Sequence, residues 1–191
     1  MKFISLNLCQ VEELLNLQGQ MYFREGKWKE LWDKEAKGKF KVFIKDYLTN
    51  FPQGCFGLEN KGELIGAMFL MKIAELKPIP YLHKVTECLK PKGQIAYVSV
   101  FVVKKGKNET EIAEKLYQQA EIVALKVGCK TIEVVINISP LEEQILKENN
   151  YKRMVERFTW EIYPGMKVPC WIYYQNLQLD LYFREKIAAQ T

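Results

Sequence analysis

The 191-residue sequence predicts an α/β (α+β) fold in which strands and helices interleave along the chain. The first sign is the segment Ala96-Tyr97-Val98-Ser99-Val100-Phe101-Val102-Val103, which reads as a strand. It leads through a short loop into an amphipathic helix over about 111–127, followed by a strand at 129–138 and a second helix ending at Tyr151. The second sign is a hairpin, where 55–58 and 63–70 flank Glu59-Asn60-Lys61-Gly62, a turn offering the positive-φ residues that tight hairpins need. The third is bulk: 48% hydrophobic residues in a chain of this length can bury a full core, most simply as one domain over 1–191.

The remaining elements follow in order. Lys2 to Asn7 suggests a short first strand, and Val11, Leu14, Leu15, Leu17 and Gln18 turn helical toward Phe23. A second helix is expected over 29–49, with Phe40, Phe43, Ile44, Tyr47 and Leu48 on one stripe, and Pro52 and Gly54 ending it. Residues 77–93 hold three prolines and read as a long loop, a feature usually functional or mobile in compact domains. Two further strands are expected at 155–163 and 168–177, joined at Pro164-Gly165, with a short helix over 179–189. The helix at 111–127 should bury Ile112, Leu116, Ala120 and Val123.

Composition narrows the function classes. A net charge of +5 suits a phosphorylated ligand but lacks the concentrated basic run of a nucleic-acid binder. Five scattered cysteines without a CxxC pair, and a single histidine, leave no metal site of the Cys/His type. Such cysteines, without a signal peptide, point to reduced thiols in the cytoplasm, and no apolar run is long enough to cross a membrane.

The opening Phe3-Ile4-Ser5-Leu6 with Val11-Glu12-Glu13-Leu14-Leu15, the turn Glu59 to Ala67, Gly128 to Val134 and Asn149-Asn150-Tyr151 together resemble the GNAT (GCN5-related) N-acetyltransferase family over residues 1–163. The resemblance implies the GNAT acyl-CoA N-acyltransferase fold: a central mixed, mostly antiparallel sheet, helices on both faces, and the strands at 96–103 and 129–138 parallel and splayed. Residues 164–191 would form a C-terminal strand-and-helix arm on that core. It also implies acetyl-CoA or another acyl-CoA as cosubstrate, without a metal, and a small-molecule or protein amine as acceptor.

Residue by residue, the resemblance gives Phe101, Val102 and Val103 as the backbone rungs for pantetheine. Lys107, Asn108, Thr110, Ile112 and Ala113 would hold the pyrophosphate at the loop and helix start, and Asn137 would stand just past the second strand. The family's glycine pattern is matched in the loop by Gly106 and by Asn108 alone, while Glu109 and Glu111 fall in the first helical turn. Asn108 and Glu111 make a capping box on paper. A carboxylate about 4 Å from a phosphate costs up to roughly 4 kcal/mol at an effective dielectric of 20, so these glutamates repel the ligand unless they turn outward. The family's general-acid tyrosine would fall at Leu146, which cannot donate a proton. The catalytic candidates are Tyr97, Ser99 and Glu133, each with a plain packing or solvated reading beside it. Cys129 and His83 are weaker candidates. The aromatics around Met21-Tyr22-Phe23, Trp28 and Trp32, and those at Trp171 to Tyr174, Tyr182 and Phe183, read as core packing. Their alternative is an apolar acceptor pocket or a homodimer face. Two functions stand side by side: an N-acyltransferase, and a GNAT-fold binding or regulatory module with lost or weakened CoA chemistry.

Overall fold

A computed structural model describes residues 1–24, 27–75, 79–137, 139–154, 157–163 and 166–177. β1 (Lys2–Ser5) opens the chain, and a 3-10 turn at Leu8–Gln10 leads into α1 (Val11–Tyr22). That turn is set by reciprocal bonds between Asn7 and Gln10: Cys9 N–H donates to Asn7 Oδ1 at 2.8 Å, and Asn7 N–H to Gln10 Oε1 at 2.9 Å. The helix expected over 29–49 is two helices, α2 (Lys27–Leu31) and α3 (Lys34–Asn50). Asp33 breaks them: its carboxylate accepts from Ala36 N–H at 2.8 Å, capping a new helix where no glycine or proline marks a boundary.

β2 (Cys55–Asn60) and β3 (Glu63–Ile73) form the expected hairpin, with Lys61 at φ 52° and Gly62 at φ 82°. Two consecutive left-handed residues give the turn whose twist matches the strands. The loop beyond carries a short α4 (Val85–Cys88) that periodicity did not show. β4 (Ile95–Val103), α5 (Glu109–Lys126), β5 (Thr131–Asn137) and α6 (Pro140–Glu148) follow. The last strands are β6 (Lys152–Arg153), β7 (Phe158–Tyr163) and β8 (Met166–Asn176). β6 was not expected, because two residues are too few to show an alternation. The helix anticipated at 179–189 and the turn at Pro164-Gly165 lie outside the described residues.

All eight strands belong to one mixed sheet, in the order β1-β2-β3-β4-β5-β8-β6, with β7 also pairing β8. Among the described residues only β4 and β5 pair in parallel; the other pairings are antiparallel. Alternation along the strands sorts side chains onto two faces. Met68, Leu70, Ala96, Val98, Ile132 and Val134 face α5 and α6; Ala67, Phe69, Met71, Tyr97 and Val102 face α1 and α3. The expected stripe of α5, Ile112, Leu116, Ala120 and Val123, is buried on the first face. Gly66 lets that helix approach β3, since a Cβ there would stand 2.8 Å from Ile112 and 2.9 Å from Leu116.

Candidate active site

The site begins where the parallel ladder stops. β4 and β5 pair from Ile95↔Thr131 to Val98↔Val134 and no further. Beyond that point β4 runs on to Val103 beside β3, and β5 to Asn137 beside β8. The strands therefore diverge, leaving a cleft of about 560 Å³ between them. A bulge sits at the divergence. Phe69 pairs Val100 and Leu70 pairs Val98, so Ser99 is an extra residue in β4. A bulge re-aims the side chains beyond it: Val98 and Phe101 share the α5 face, while Tyr97 and Val100 share the other.

Along the open edge of β4, hydrogen bonding alternates between neighbours. Lys104 N–H donates to Ile65 O, and in that register Val102 is bonded toward β3 while Phe101 and Val103 point into the divergence. α1 already meets them there. The Tyr22 hydroxyl donates to Phe101 O at 2.9 Å, and Val103 N–H donates to Met21 Sδ at 3.4 Å. Below, Glu142 of α6 is 4% exposed and lines the cleft, and Tyr117 donates to its Oε1 at 3.3 Å. Burial pushes the Glu142 carboxyl up to about 7, against the pull of hydrogen bonds from Ser139 and Tyr117. Tyr22 and Tyr117 are both held well above the ordinary tyrosine value, first by burial and then by the nearby Glu142 charge.

Aromatic side chains also line the cleft: Phe23, Phe40, Phe43, Tyr81 and Trp160. Phe23 stacks on Trp32 at 4.6 Å. His83 lines the cleft too and packs edge-on against Phe43. Its Nδ1 lies 2.9 Å from Pro80 O, and its Nε2 lies 3.0 Å from the Tyr47 hydroxyl. A carbonyl can only accept, so Nδ1 carries the proton and Nε2 of the neutral ring accepts from Tyr47.

At the loop, α5 starts at Glu109 and Asn108 makes no side-chain cap, so the expected capping box does not form. Asn108 sits at φ −104°, outside the left-handed region. Glu111 instead faces Lys115 one turn on, at 3.7 Å, while Glu109 and Lys105 line the cleft. Lys104 is drawn away to Glu63 at 2.5 Å. The helix start thus keeps N–H groups without a side-chain cap, a fit for an anion.

Of the residues singled out in the sequence, Tyr97, Ser99, Phe101 and Asn137 line the cleft. Glu133 lies beside Tyr97 in register but does not line it; it is 4% exposed, its Oε2 has no hydrogen-bond partner, and burial raises its carboxyl to about 7. Val102 is buried against β3, and Val103 shows only its N–H to the opening. Lys107 and Asn108 are exposed on the loop and Thr110 is exposed in the first turn of α5, while Ile112 and Ala113 are core. Leu146 is core as well. Sequence reasoning missed Tyr117 and Glu142, and took Tyr22 as core packing or, alternatively, as part of an apolar acceptor pocket; the signal for Glu142 was its standing a single turn before Leu146 on the same helix face.

Among the described residues there is no cluster of potential metal ligands and no helix long and apolar enough to cross a membrane. No family model and no curated protein matches the sequence. Solved structures do match the fold. The loading GNATL domain of CurA from Lyngbya majuscula aligns over 93% of this chain and 98% of its own, with TM-score 0.70 and 11% identity. The GphF GNAT-like decarboxylase in complex with isobutyryl-CoA aligns over 93% and 100%, with TM-score 0.68 and 12% identity. Aminoglycoside 6'-acetyltransferase type Ii aligns over 93% and 97%, with TM-score 0.61 and 12% identity. With its single mixed sheet opened between parallel strands, the chain has the fold of the GNAT acyltransferases.

Proposed function

We propose that this protein is an acyl-CoA-dependent N-acyltransferase, moving an acyl group, acetyl being the simplest, from CoA to an amine. The divergence of β4 and β5 carries the reading: it opens a cleft along the β4 edge that is lined by Glu109 of the uncapped α5 start and by several aromatic side chains. That one structural neighbour holds isobutyryl-CoA adds support. Bound acyl-CoA would supply an activated thioester. The α5 start with Lys105 would hold its phosphates, and Phe101 O and Val103 N–H its amides. Glu142, its carboxyl pushed up to about 7 by burial, can release a proton at Oε into the cleft, leaving a carboxylate steadied by Tyr117. Tyr97 and Ser99 face the amine side; Glu133 acts there only through its neighbour Tyr97. The aromatic lining suits one amine on an apolar body, free or at a protein surface, better than a polycation. The five cysteines are free thiols, in keeping with a reducing cytoplasm.

A second reading, a GNAT-fold binding or regulatory module, is favoured by one observation: the side chains of Tyr22 and Met21 fill the rungs that pantetheine would use. Release of CoA thiol from acetyl-CoA in the presence of amines separates the two. Acetyl-CoA binding without thiol release from any amine would leave the module reading standing.

A further inference from the structure

Gln18 is a polar side chain in an apolar place. α1 buries Val11, Leu14, Leu15 and Leu17, and Gln18 lies among them at 8% exposure. It lines the cleft, and its carboxamide makes no hydrogen bond among the described residues. Unlike Glu133 Oε2, neither of its amide atoms is sealed from solvent, so the group opens onto the cleft. Helical spacing agrees: Met21 and Tyr22, three and four residues on, reach the open edge of β4.

Tyr97 repeats the pattern from the sheet, on the face that α1 covers. It is 2% exposed and lines the cleft, and its hydroxyl makes no hydrogen bond among the described residues. A buried donor or acceptor without a partner costs stability, and methionine at 18 or phenylalanine at 97 would fill the same space without that cost. Packing accounts for the shapes of these residues but not for their polar ends. The neighbours limit what those ends can bind. The rings of Phe23, Trp32, Phe40, Phe43 and His83 form one contact chain, with centroids 4.6 to 6.0 Å apart, and all but Trp32 line the cleft. The α1 backbone beside Gln18 lies against that chain, since a Cβ at Gly19 would stand 2.6 Å from Trp32 Nε1. An apolar body fits there. A carboxylate lacks a counter-charge, and burying one unpaired is costly. Among the described residues, the basic side chains of the cleft are His83, with both ring nitrogens engaged, and Lys105, exposed on the loop before α5. A carboxamide matches Gln18 atom for atom: its oxygen accepts from the Gln18 NH2 and its N–H donates to the Gln18 oxygen, with the Tyr97 hydroxyl as a further donor.

We propose that Gln18 and Tyr97 select the acyl acceptor by hydrogen-bonding a neutral carboxamide that it carries beside its amine and its apolar body. This deepens the acyl-transfer reading above and rests on it for the reacting amine. A free amino-acid amide and the first peptide unit of a chain share that chemistry.

Three probes isolate the group: phenylalaninamide carries it, phenethylamine lacks it, and phenylalanine has a carboxylate in its place. Calorimetry on the full-length protein with free CoA present should show phenylalaninamide bound about tenfold more tightly than the other two. Gln18→Met should bring phenylalaninamide down to the affinity of phenethylamine, and Tyr97→Phe should weaken it about threefold. Gln18→Met should also leave the acetyl-CoA thermal shift unchanged and raise the ligand-free Tm by about 2–4 °C, the mark of a polar group that serves binding and not folding. Thiol release from acetyl-CoA should follow the same order in kcat/KM. A peptide amide opening with phenylalanine separates the two sources: turnover of the free amide alone, or of the peptide as well, supports the same recognition and names where its carboxamide comes from. A wild-type chain that binds phenethylamine as tightly as phenylalaninamide, a preference that survives both substitutions, or a lower Tm in Gln18→Met overturns the proposal and leaves acyl transfer intact. Absent thiol release with every amine overturns the acyl-transfer reading, while a Gln18-dependent preference in calorimetry would still support the carboxamide site.

Discussion

Glu133 is a carboxyl with nowhere to put its charge: it is buried, and one oxygen is unpartnered. Its pKa is raised from 4.5 to about 7, so the folded state binds a proton that the unfolded state has already lost between those values. Stability contributed by the neutral form is therefore full below 4.5 and falls as pH rises toward about 7. Holding the carboxylate ionised above that window costs on the order of 3 kcal/mol. Glu133→Gln should then stabilise the protein by about 2–3 kcal/mol near pH 8, with the gap closing near pH 5, in urea unfolding at both values. A constant gap would mean the carboxylate is solvated after all. At this scale the sequence was legible where a residue's own strand placed it: Tyr97, Ser99 and Asn137 reached the cleft. It was not legible where the partner lies far away in the chain. Tyr22 meets Phe101 across 79 positions and Tyr47 meets His83 across 36, and no local pattern encodes either contact.

Among the elements, α5 settles the conflict posed by its two glutamates, because they part company. Glu111 turns outward to Lys115 and Glu109 lines the cleft. Glu109→Gln should tighten acetyl-CoA binding by about tenfold, and Glu111→Gln should leave it flat, by calorimetry. Equal effects from both would contradict the observed geometry. The same helix depends on its closeness to β3. Gly66→Ala drives a Cβ into Ile112 and Leu116, and should cost about 1–3 kcal/mol of unfolding free energy. The hairpin and the strand–helix–strand centre were readable because alternation, helical spacing and turn residues agreed there. The α2–α3 break was not, since an aspartate serves equally as a helix-surface residue or a cap. Nor was the Ser99 bulge, which interrupts pairing without changing the apolar run.

For the whole molecule, the two faces of one sheet hold two cores, and the cleft is where β4 and β5 cease to join them. α1 closes that gap by placing Tyr22 and Met21 on the open rungs of β4. Tyr22→Phe removes one such bond, and should lower stability by about 0.5–1.5 kcal/mol while tightening acetyl-CoA binding. Weaker binding would show that the hydroxyl helps to hold the ligand. The central claim, a cleft built for acyl-CoA, is tested most directly by thermal unfolding of the wild-type chain with and without acetyl-CoA. At about 100 times the dissociation constant the ligand should add roughly 2.7 kcal/mol of stability, seen as a concentration-dependent rise in Tm. A Tm unmoved by acetyl-CoA, by longer acyl-CoAs and by free CoA at millimolar concentration would contradict it.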